Sequence, residues 1–348
     1  MDCSDLFLKA CRREPVPRTP VWFMRQAGRY MKEYRDLRAR HSILELCHTP
    51  ELAATITIQA VQKLGVDAAI IFSDLLLPAQ AMGMPLAFVE GEGPALSGPL
   101  RTEEAVRSLR DVSDGELSYV AEAIQMVCQE LNGKVPVIGF AGAPFTLASY
   151  MIEGGPSRDF AETKGMMYRQ PELWRELMDK LVKVLSDYLH SQAAGGAGAL
   201  QLFDSWVGCL SPGDYRRYVL PYSRRLIENL SSVKVPLIHF GTGTAALLEL
   251  MRQAGGDVIG LDWRVELGDA WRRLGYDVAV QGNLDPVVLL GPLETIREHV
   301  EHVLQSSQFR PGHIFNLGHG ILPATPVEHV QAVVEMVHNF KGIQESGV

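Results

Sequence analysis

The sequence lacks long apolar runs, paired cysteine motifs and a secretory leader. No apolar run reaches the roughly 18 residues of a membrane-spanning helix. The nearest approach is residues 66–88, which contain Asp67, Asp74, Pro78, Gln80 and Pro85. Five cysteines form an odd set without a CxxC pair, which favours a reducing compartment. Since the first five residues also lack the basic start and apolar core of a signal, we expect a cytoplasmic protein without membrane attachment.

An excess of basic residues is missing from the chain as a whole. Its 33 Lys and Arg residues face 41 Asp and Glu residues, a formal charge of −8, so nucleic acid is not an expected partner. Hydrophobic residues make up 47% and charged residues 21%, which excludes a mainly disordered or fibrous chain. The length of 348 residues allows two domains, although α/β barrels often exceed about 250 residues as one unit.

Basic charge is concentrated near the N-terminus. Residues 9–40 hold ten basic and three acidic groups and carry +7, whereas the remainder, with 23 basic and 38 acidic groups, carries −15. Two interpretations stay open: a solvated basic helix face, or an anion site. The anion site is favoured by the excess of Arg, whose planar fork matches carboxylates. It is also favoured because Arg25 and Arg29 directly follow the apolar run 21–24.

Short apolar runs alternate with helical patterns along the chain. The runs are nearly continuous, as in strands buried on both faces of a parallel sheet. They are Val21–Met24, Ala68–Phe72, Val137–Ala141, Ala199–Phe203, Pro236–Phe240, Val258–Leu261, Val278–Gln281 and His313–Leu317. Helices are predicted between them at 50–64, from Pro171 to Gly195, and at 244–254, 265–274, 293–305 and 326–340.

Eight such units predict a (β/α)8 barrel with an insertion, residues 78–131, after the second strand. The first strand is not followed by the G-x-G-x-x-G fingerprint of dinucleotide-binding sheets. Gly241-Thr242-Gly243 follows the fifth strand and is interpreted as a tight turn, with phosphate cradling as the alternative.

In a barrel, functional side chains gather where the strands end at their carboxyl termini. The candidates at these positions are Arg25, Arg29, Asp74, Tyr150, Asp204, Ser205, Asp262 and His319. Each also has a structural explanation. Asp74 and Ser205 could cap helices, Tyr150 could belong to the core, and Asp204 and Asp262 could be internal hydrogen-bond partners. His319 lies between two glycines, which favours close approach of a ligand or of backbone.

Metal and nucleophile motifs are weak in this sequence. No H-x-C, C-x-x-C or H-x-x-x-H pair has suitable spacing, and Cys209 has no His nearby in sequence to activate it. We therefore expect no metal site and no thiol nucleophile.

The run Trp22-Phe23-Met24-Arg25-Gln26-Ala27-Gly28-Arg29-Tyr30 closely resembles the N-terminal signature of the uroporphyrinogen decarboxylase family, whose enzymes serve haem and chlorophyll biosynthesis. Further motifs agree in order along the whole chain. They are Phe72-Ser73-Asp74, Gly142-Ala143-Pro144-Phe145-Thr146 with Tyr150, Gln201-Leu202-Phe203-Asp204-Ser205, and Phe315-Asn316-Leu317-Gly318-His319-Gly320.

The resemblance implies a single (β/α)8 domain over residues 1–348, a homodimer, no cofactor and no metal. It implies that uroporphyrinogen III is converted to coproporphyrinogen III by decarboxylation of four acetates. Substrate contacts are implied for Arg25, Gln26, Ala27, Gly28, Arg29, Arg38, Asp74, Tyr150, Ser205 and His319. Asp74, Arg25 and Arg29 are the implied catalytic residues, with Asp74 facing the centre of the macrocycle.

Two rival functions remain. A corrinoid-linked methyltransferase of the same superfamily would need a Zn site with a His-x-Cys pair near the fifth strand. The corresponding stretch here is His239-Phe240-Gly241, without thiolate ligands. A non-catalytic porphyrin-binding protein is the second rival, and the intact Asp74, Tyr150 and His319 set argues against it.

Overall fold

Seven parallel strands form the central curled sheet of the computed structural model, which describes residues 5–89, 93–113 and 115–341. The described residues contain nine strands, seven in this sheet and two in a separate hairpin. They are β1 (Ala69–Ile70), β2 (Leu86–Val89), β3 (Gly93–Leu96), β4 (Val137–Gly142), β5 (Ala199–Asp204), β6 (Leu237–Gly241), β7 (Val258–Gly260), β8 (Ala279–Gln281) and β9 (His313–Ile314). The sheet order is β1-β4-β5-β6-β7-β8-β9, and β2 and β3 form a separate antiparallel hairpin.

Helices cover the sheet, as expected when parallel strands are joined by crossover connections. They are α1 (Leu6–Cys11), α2 (Lys32–Arg38), α3 (Ile43–His48), α4 (Pro50–Leu64), α5 (Leu77–Ala81), α6 (Glu103–Arg107), α7 (Ser118–Leu131), α8 (Pro144–Glu153), α9 (Ala161–Arg169), α10 (Pro171–Ala194), α11 (Pro212–Tyr218), α12 (Leu220–Asn229), α13 (Leu248–Ala254), α14 (Leu267–Leu274), α15 (Leu293–Ser306) and α16 (Val327–Asn339).

The helix signals in the sequence correspond to real helix ends. Both α4 and α10 begin at the predicted prolines, and α4 ends at Gly65, whose φ of 69° is the left-handed conformation that glycine adopts without strain. The helix predicted at 244–254 begins only at Leu248, because a turn comes first in which the Leu247 N–H donates to Thr244 O (2.7 Å).

The predicted insertion contains two different parts. Helix α5 contacts the β2–β3 hairpin and α6 packs on α10, whereas α7 packs against α4 and leads directly into β4. The last part of residues 78–131 is therefore the covering helix of an ordinary βα unit. Residues 90–92 and 114 of the predicted insertion lie outside the described residues.

The predicted strand Val21–Met24 is not a regular strand. It makes one parallel bridge, between Val21 and Phe315, with hydrogen bonds from Phe315 N–H to Pro20 O (2.8 Å) and from Trp22 N–H to Phe315 O (3.3 Å). On the other side, the Asp67 N–H donates to Val21 O (2.8 Å). The segment thus lies between the two edges of the seven-stranded sheet.

Side chains interrupt this strand after Val21. The Met24 N–H donates to the side-chain oxygen of Asn316 (3.2 Å) instead of to a neighbouring strand. The Phe23 N–H donates to Gln26 Oε1 (3.3 Å), and Arg25 then turns the chain with a φ of 60°. The apolar pattern alone carries no trace of these side-chain acceptors, which explains why eight regular strands were predicted.

Two smaller findings concern the membrane and the cysteines. Across the described ranges, none of the helices has the length and apolarity needed to cross a membrane. Cys11, Cys47, Cys128 and Cys209 are free thiols, and Cys3 lies outside the described residues.

Asp67 fastens the N-terminal segment to the rest of the molecule. Its buried carboxylate accepts two hydrogen bonds from the Arg18 guanidinium (2.7 and 2.9 Å), one from the Val21 N–H (2.8 Å) and one from His338 Nε2 (2.9 Å). Burial raises the pKa of Asp67, but the hydrogen bonds from His338 and Arg18 outweigh it and hold that pKa below its usual range. The carboxylate therefore joins the segment before Val21 to the C-terminal helix α16.

We expect Asp67→Asn to lower the free energy of unfolding by about 2 kcal/mol at pH 7, because it leaves the half-buried Arg18 guanidinium without its counter-charge. The folded-state pKa of Asp67 is depressed, so its contribution is complete above the unfolded-state pKa and disappears as pH falls through the folded value. The stabilities of the two proteins should therefore begin to approach each other below about pH 4 and meet only once pH falls below the folded-state pKa. Urea unfolding at pH 7 and in acid measures this. Asp36→Asn, which removes an exposed partner of Lys32 (2.5 Å), is the control. Equal midpoints for wild type and Asp67→Asn at pH 7 would contradict the role.

Candidate active site

The predicted polar residues follow the carboxyl ends of neighbouring strands. Asp74 lies four residues after β1, Tyr150 is on α8 after β4, Ser205 directly follows β5, and His319 lies five residues after β9. Because parallel strands end at the same edge of the sheet, these segments converge on one mouth.

The Arg25–Arg29 loop is held against this mouth by its own side chains. Gln26 is completely buried, and its amide donates to Ala68 O (3.2 Å) just before β1. The Tyr30 hydroxyl donates to Gln26 O (2.6 Å) and closes the turn. The Gln26 side chain is thus an anchor of the loop, while Ala27 and Gly28 are half-buried on its rim.

Arg25 lies across the loop that carries His319. A Cβ added at Gly320 would collide with the aliphatic part of the Arg25 side chain, and one added at Gly318 would collide with the backbone of Trp263. Both glycines around His319 therefore permit close contacts, as their spacing predicted. The contact at Gly320 joins the first and last segments of the mouth.

Asp74 is a half-buried carboxylate close to Arg25. One of its oxygens accepts the Leu76 N–H (2.9 Å), which fixes the turn before α5, and the other has no hydrogen-bond partner among the described residues. Burial raises the pKa of Asp74 above its usual range, while the Leu76 N–H and the Arg25 charge oppose the rise. The structural alternative, a turn-forming Asp, thus uses only half of the carboxylate.

Tyr150 lies within the electrostatic reach of Asp74 and Arg25. Burial raises the pKa of Tyr150 to about 12, Asp74 adds to the rise, and Arg25 and the Trp206 indole oppose it. The Tyr150 and Trp206 rings pack with centroids 5.6 Å apart. Ser205, the neighbour of Trp206, is half-buried on the same wall.

His319 is held in one tautomer. The Gly320 N–H donates to His319 Nδ1 (2.7 Å), so the ring proton must reside on Nε2. Burial lowers the pKa of His319 to about 4, and the charges of Arg25 and Arg264 lower it further against the opposing effect of Asp262. At neutral pH the imidazole is therefore an uncharged hydrogen-bond donor.

Arg29 and Arg38 lie on a second side, around Tyr34. Burial raises the pKa of Tyr34, and the guanidinium groups of Arg38 and Arg29 oppose that rise. Arg38 donates to His41 O. Burial also raises the pKa of Cys47. The charge of Asp74 adds to this rise and the charge of Arg38 opposes it, so both charged groups act on the same thiol.

The basic segment divides into structural and available groups. Arg18 binds Asp67, and Arg35 donates to the carbonyl oxygens of Arg29 (2.9 Å) and Tyr30 (2.8 Å). Within the described part of the chain, no carboxylate lies at ion-pair distance from the three arginines of the mouth, which are Arg25, Arg29 and Arg38. Arg29 and Arg25 are also exposed, so the anion-site interpretation fits these positions.

Asp204 and Asp262 prove to be internal hydrogen-bond partners. Asp262 accepts the N–H of Gly243 (2.6 Å) and the guanidinium of Arg264 (2.6 Å), which stacks on Trp263 at 4.0 Å. The Gly243 N–H is thereby used within the protein, as the tight-turn interpretation predicted.

Sequence reasoning missed Trp206 and Arg264. The position of Trp206 directly after Ser205, at the end of β5, was an available signal. Arg264 stands two residues after Asp262 and could have been found in the same way.

The described ranges contain no cluster of side chains suited to a metal ion. No group of three or more His, Cys, Asp and Glu side chains is arranged there to hold a metal ion. His239, at the position where the methyltransferase alternative needs a ligand, is completely buried, with Nε2 3.6 Å from Asp204 Oδ2.

Comparisons with known proteins find relatives that match nearly the whole chain. The protein named uroporphyrinogen decarboxylase from Solibacter usitatus is 57% identical over 338 residues, which cover 97% of this chain and 98% of the relative. The protein of the same name from Carboxydothermus hydrogenoformans is 54% identical over 98% of this chain and 97% of its own length.

Solved structures show similarity of fold alone. A methyltransferase from Methanosarcina mazei superposes with a TM-score of 0.81 at 20% identity, over 97% of this chain and 98% of its own. A B12-independent methionine synthase from Shewanella superposes with a TM-score of 0.56 at 13% identity, over 83% of this chain and 87% of its own.

The family model described as uroporphyrinogen decarboxylase (URO-D) matches residues 3–340. The chain therefore belongs to the uroporphyrinogen decarboxylase family.

Proposed function

We propose that this chain removes the four acetate carboxyl groups of uroporphyrinogen III as CO2 and releases coproporphyrinogen III. Its family makes it a carboxy-lyase. The observation that carries the finer proposal is the pairing of one half-buried, half-satisfied carboxylate, Asp74, with three arginines that have no carboxylate partner among the described residues.

The chemistry explains why one anion and several cations are needed. Loss of CO2 from an acetate would leave a carbanion beside an electron-rich pyrrole, which is very unfavourable. Protonation of the pyrrole α-carbon first gives a cationic iminium. The electrons of the breaking C–C bond then flow into that ring, and a second proton, delivered to the exocyclic carbon, completes the methyl group as the α-carbon proton leaves. The substrate thus supplies its own electron sink, and the proposal needs no cofactor.

Asp74 is proposed to provide the counter-charge for that cation. Its free oxygen can accept hydrogen bonds from pyrrole N–H groups pointing toward the macrocycle centre. A carboxylate already held by the Leu76 N–H needs no reorganisation during the reaction. It therefore stabilises the cationic transition state more than the neutral substrate.

The arginines are proposed to bind the peripheral carboxylates of the substrate. Arg25, Arg29 and Arg38 offer planar donors for charge-assisted hydrogen bonds. They should hold acetates and propionates without gripping the departing carboxylate, because tight binding of that group would stabilise the ground state. The buried Gln26 keeps the loop in place, so that Ala27 and Gly28 contribute backbone at the rim.

The remaining groups are proposed to complete the pocket. His319 presents an uncharged Nε2–H, suited to a substrate carboxylate. Tyr150 and Ser205 add hydroxyl groups on the wall formed by α8 and the end of β5.

We also propose that residues 1–348 form one (β/α)8 barrel domain with an insertion between β1 and β4. The hydrogen bonds from the Val21 segment to both edges of the sheet support its role as the eighth strand of the barrel. A cytoplasmic location is likewise proposed, and the free thiols of the four described cysteines support it.

A homodimer is part of the proposal. Val287, Leu290 and Leu293 follow the end of β8 and are 57%, 46% and 49% exposed, and neighbouring exposed apolar side chains are typical of interaction surfaces. Sedimentation velocity should give twice the protomer mass of 38.4 kDa, and a species of protomer mass alone would contradict the dimer.

Anaerobic incubation with uroporphyrinogen III tests the function directly. After oxidation, chromatography should show coproporphyrin together with partly decarboxylated intermediates. Unchanged uroporphyrin, recovered bound to the protein, would instead support the porphyrin-binding alternative. Stoichiometric Zn with corrinoid-dependent methyl transfer would support the methyltransferase alternative.

Asp74→Asn should lower kcat about 100-fold, the typical cost of losing a preorganised charge, about 3 kcal/mol, and should change substrate affinity much less. The matched control is Asp285→Asn, because one Asp285 oxygen accepts the Val287 N–H (2.9 Å) in the same kind of turn. Steady-state kinetics under anaerobic conditions separate kcat from KM. Turnover near the wild-type rate in Asp74→Asn would show that the counter-charge role is wrong.

Arg29→Ala should raise KM about 10-fold or more, because a charge-assisted hydrogen bond contributes about 1.5–3 kcal/mol, and should leave kcat within a few-fold. Arg40→Ala, an exposed arginine of the same segment, controls for the loss of general positive charge. An Arg29→Ala enzyme with wild-type KM would contradict the carboxylate-binding role.

A further inference from the structure

Trp206 is attached to helix α8 at two points that lie one turn apart. Its backbone N–H donates to Thr146 Oγ1 (3.4 Å), and its indole packs against Tyr150 with ring centroids 5.6 Å apart and an interplanar angle of 59°. Residues four apart on a helix share one face, so Thr146 and Tyr150 present a continuous surface to Trp206. The backbone and the side chain of Trp206 therefore both contact helix α8.

The Thr146 hydroxyl is itself oriented by a buried carboxylate. It donates to Asp204 Oδ1 (3.2 Å), and the side chains of both residues are completely buried. Since the hydroxyl proton is committed to Asp204, its lone pairs face the Trp206 N–H.

The second carboxylate oxygen of Asp204 has no hydrogen-bond partner among the described residues. This oxygen, Oδ2, is 3.6 Å from His239 Nε2 on β6, and no Lys or Arg of the described chain lies at ion-pair distance from it. A buried carboxylate with one unpaired oxygen costs stability, whereas its other oxygen orients the Thr146 hydroxyl.

A second aromatic ring holds the indole from another direction. Phe160 packs on Trp206 with centroids 5.4 Å apart and an interplanar angle of 49°. The indole thus contacts both Phe160 and Tyr150, so a shift of Trp206 changes the packing surface of the phenol. The charges of Asp74 and Arg25 act on the Tyr150 hydroxyl, because Asp74 raises its pKa and Arg25 lowers it.

We propose that Trp206 is a positioning residue for the decarboxylation: it fixes the Tyr150 phenol at the mouth, and the Asp204–Thr146 hydrogen bond sets the place of Trp206. This inference rests on the proposed function. A misplacement of about 1 Å at a reacting group costs up to about 100-fold in rate, so a modest release of the indole should be visible in turnover.

Thr146→Val removes the hydroxyl with little change of volume, and Thr146→Ser keeps it. We expect Thr146→Val to lower kcat about 10-fold with a smaller change of KM, and Thr146→Ser to restore most of the loss. The matched control is Thr163→Val on α9, a completely buried threonine whose hydroxyl donates to Glu153 (2.8 Å) without touching Trp206. Thr163→Val should lower thermal stability comparably and leave kcat nearly unchanged. Equal losses of kcat in Thr146→Val and Thr163→Val would overturn the proposal.

A double-mutant cycle with Tyr150→Phe distinguishes positioning from general damage. If Trp206 acts through the phenol, Thr146→Val should lower kcat in the Tyr150 enzyme and have little further effect in the Tyr150→Phe enzyme. Additive losses would overturn the inference. Should Thr146→Val fail to fold, Trp206→Leu takes its place in the same cycle, with the same two outcomes. The wild-type incubation is independent of this cycle: absence of coproporphyrin there would defeat the proposed function, whereas additivity in an active enzyme defeats only the positioning role.

Discussion

The arrangement of the mouth depends on a few backbone hydrogen bonds around Val21. They hold the N-terminal segment between β9 and β1, with Asp67 donating its N–H to Val21 O and accepting the Val21 N–H with its side chain. The Arg25–Arg29 loop follows Val21 directly, so this attachment helps to set the position of the loop. Because the segment ends after so short a pairing, the chain is free to turn at Arg25 and to carry the arginines over the strand ends.

Electrostatics then gives the mouth its two kinds of surface. Guanidinium groups without carboxylate partners among the described residues lie around Tyr34 and beside Gly320, whereas the Asp74 carboxylate is half-buried and only partly neutralised. Such a separation suits a ligand that is anionic at its edge and becomes cationic at its centre during reaction, as the proposed decarboxylation requires. It would serve a uniformly anionic ligand less well, because Asp74 would repel it.

Much of this could be predicted from local patterns in the sequence. Proline at a helix start and glycine at its end located α4 and α10, and the rule that barrel chemistry follows strand ends selected Asp74, Tyr150 and His319. The glycines on either side of His319 were correctly expected to allow close approach, although their partners, Trp263 and the Arg25 side chain, lie far away in sequence.

What could not be predicted depends on side chains that reach over long sequence distances. The oxygen of Asn316 accepts the Met24 N–H across the chain and shortens a strand that its apolar composition favours. Gln26 lies within the arginine loop, yet it is buried as an anchor to Ala68. The role of Trp206 likewise depends on contacts with α8, and no spacing rule relates residues so far apart.

The hydrogen bond from Gly320 to His319 has a consequence for how acidity governs this molecule. Nδ1 of His319 accepts a hydrogen bond, and the pKa of the ring is about 4. The imidazole therefore stays neutral from mildly acidic to alkaline solution. A histidine at a catalytic mouth is commonly the group that titrates near neutrality. In the protein without substrate, His319 does not titrate near neutrality, so a limb of the kcat/KM profile between about pH 6 and 8 is expected to originate in another ionisable group or in the free tetrapyrrole.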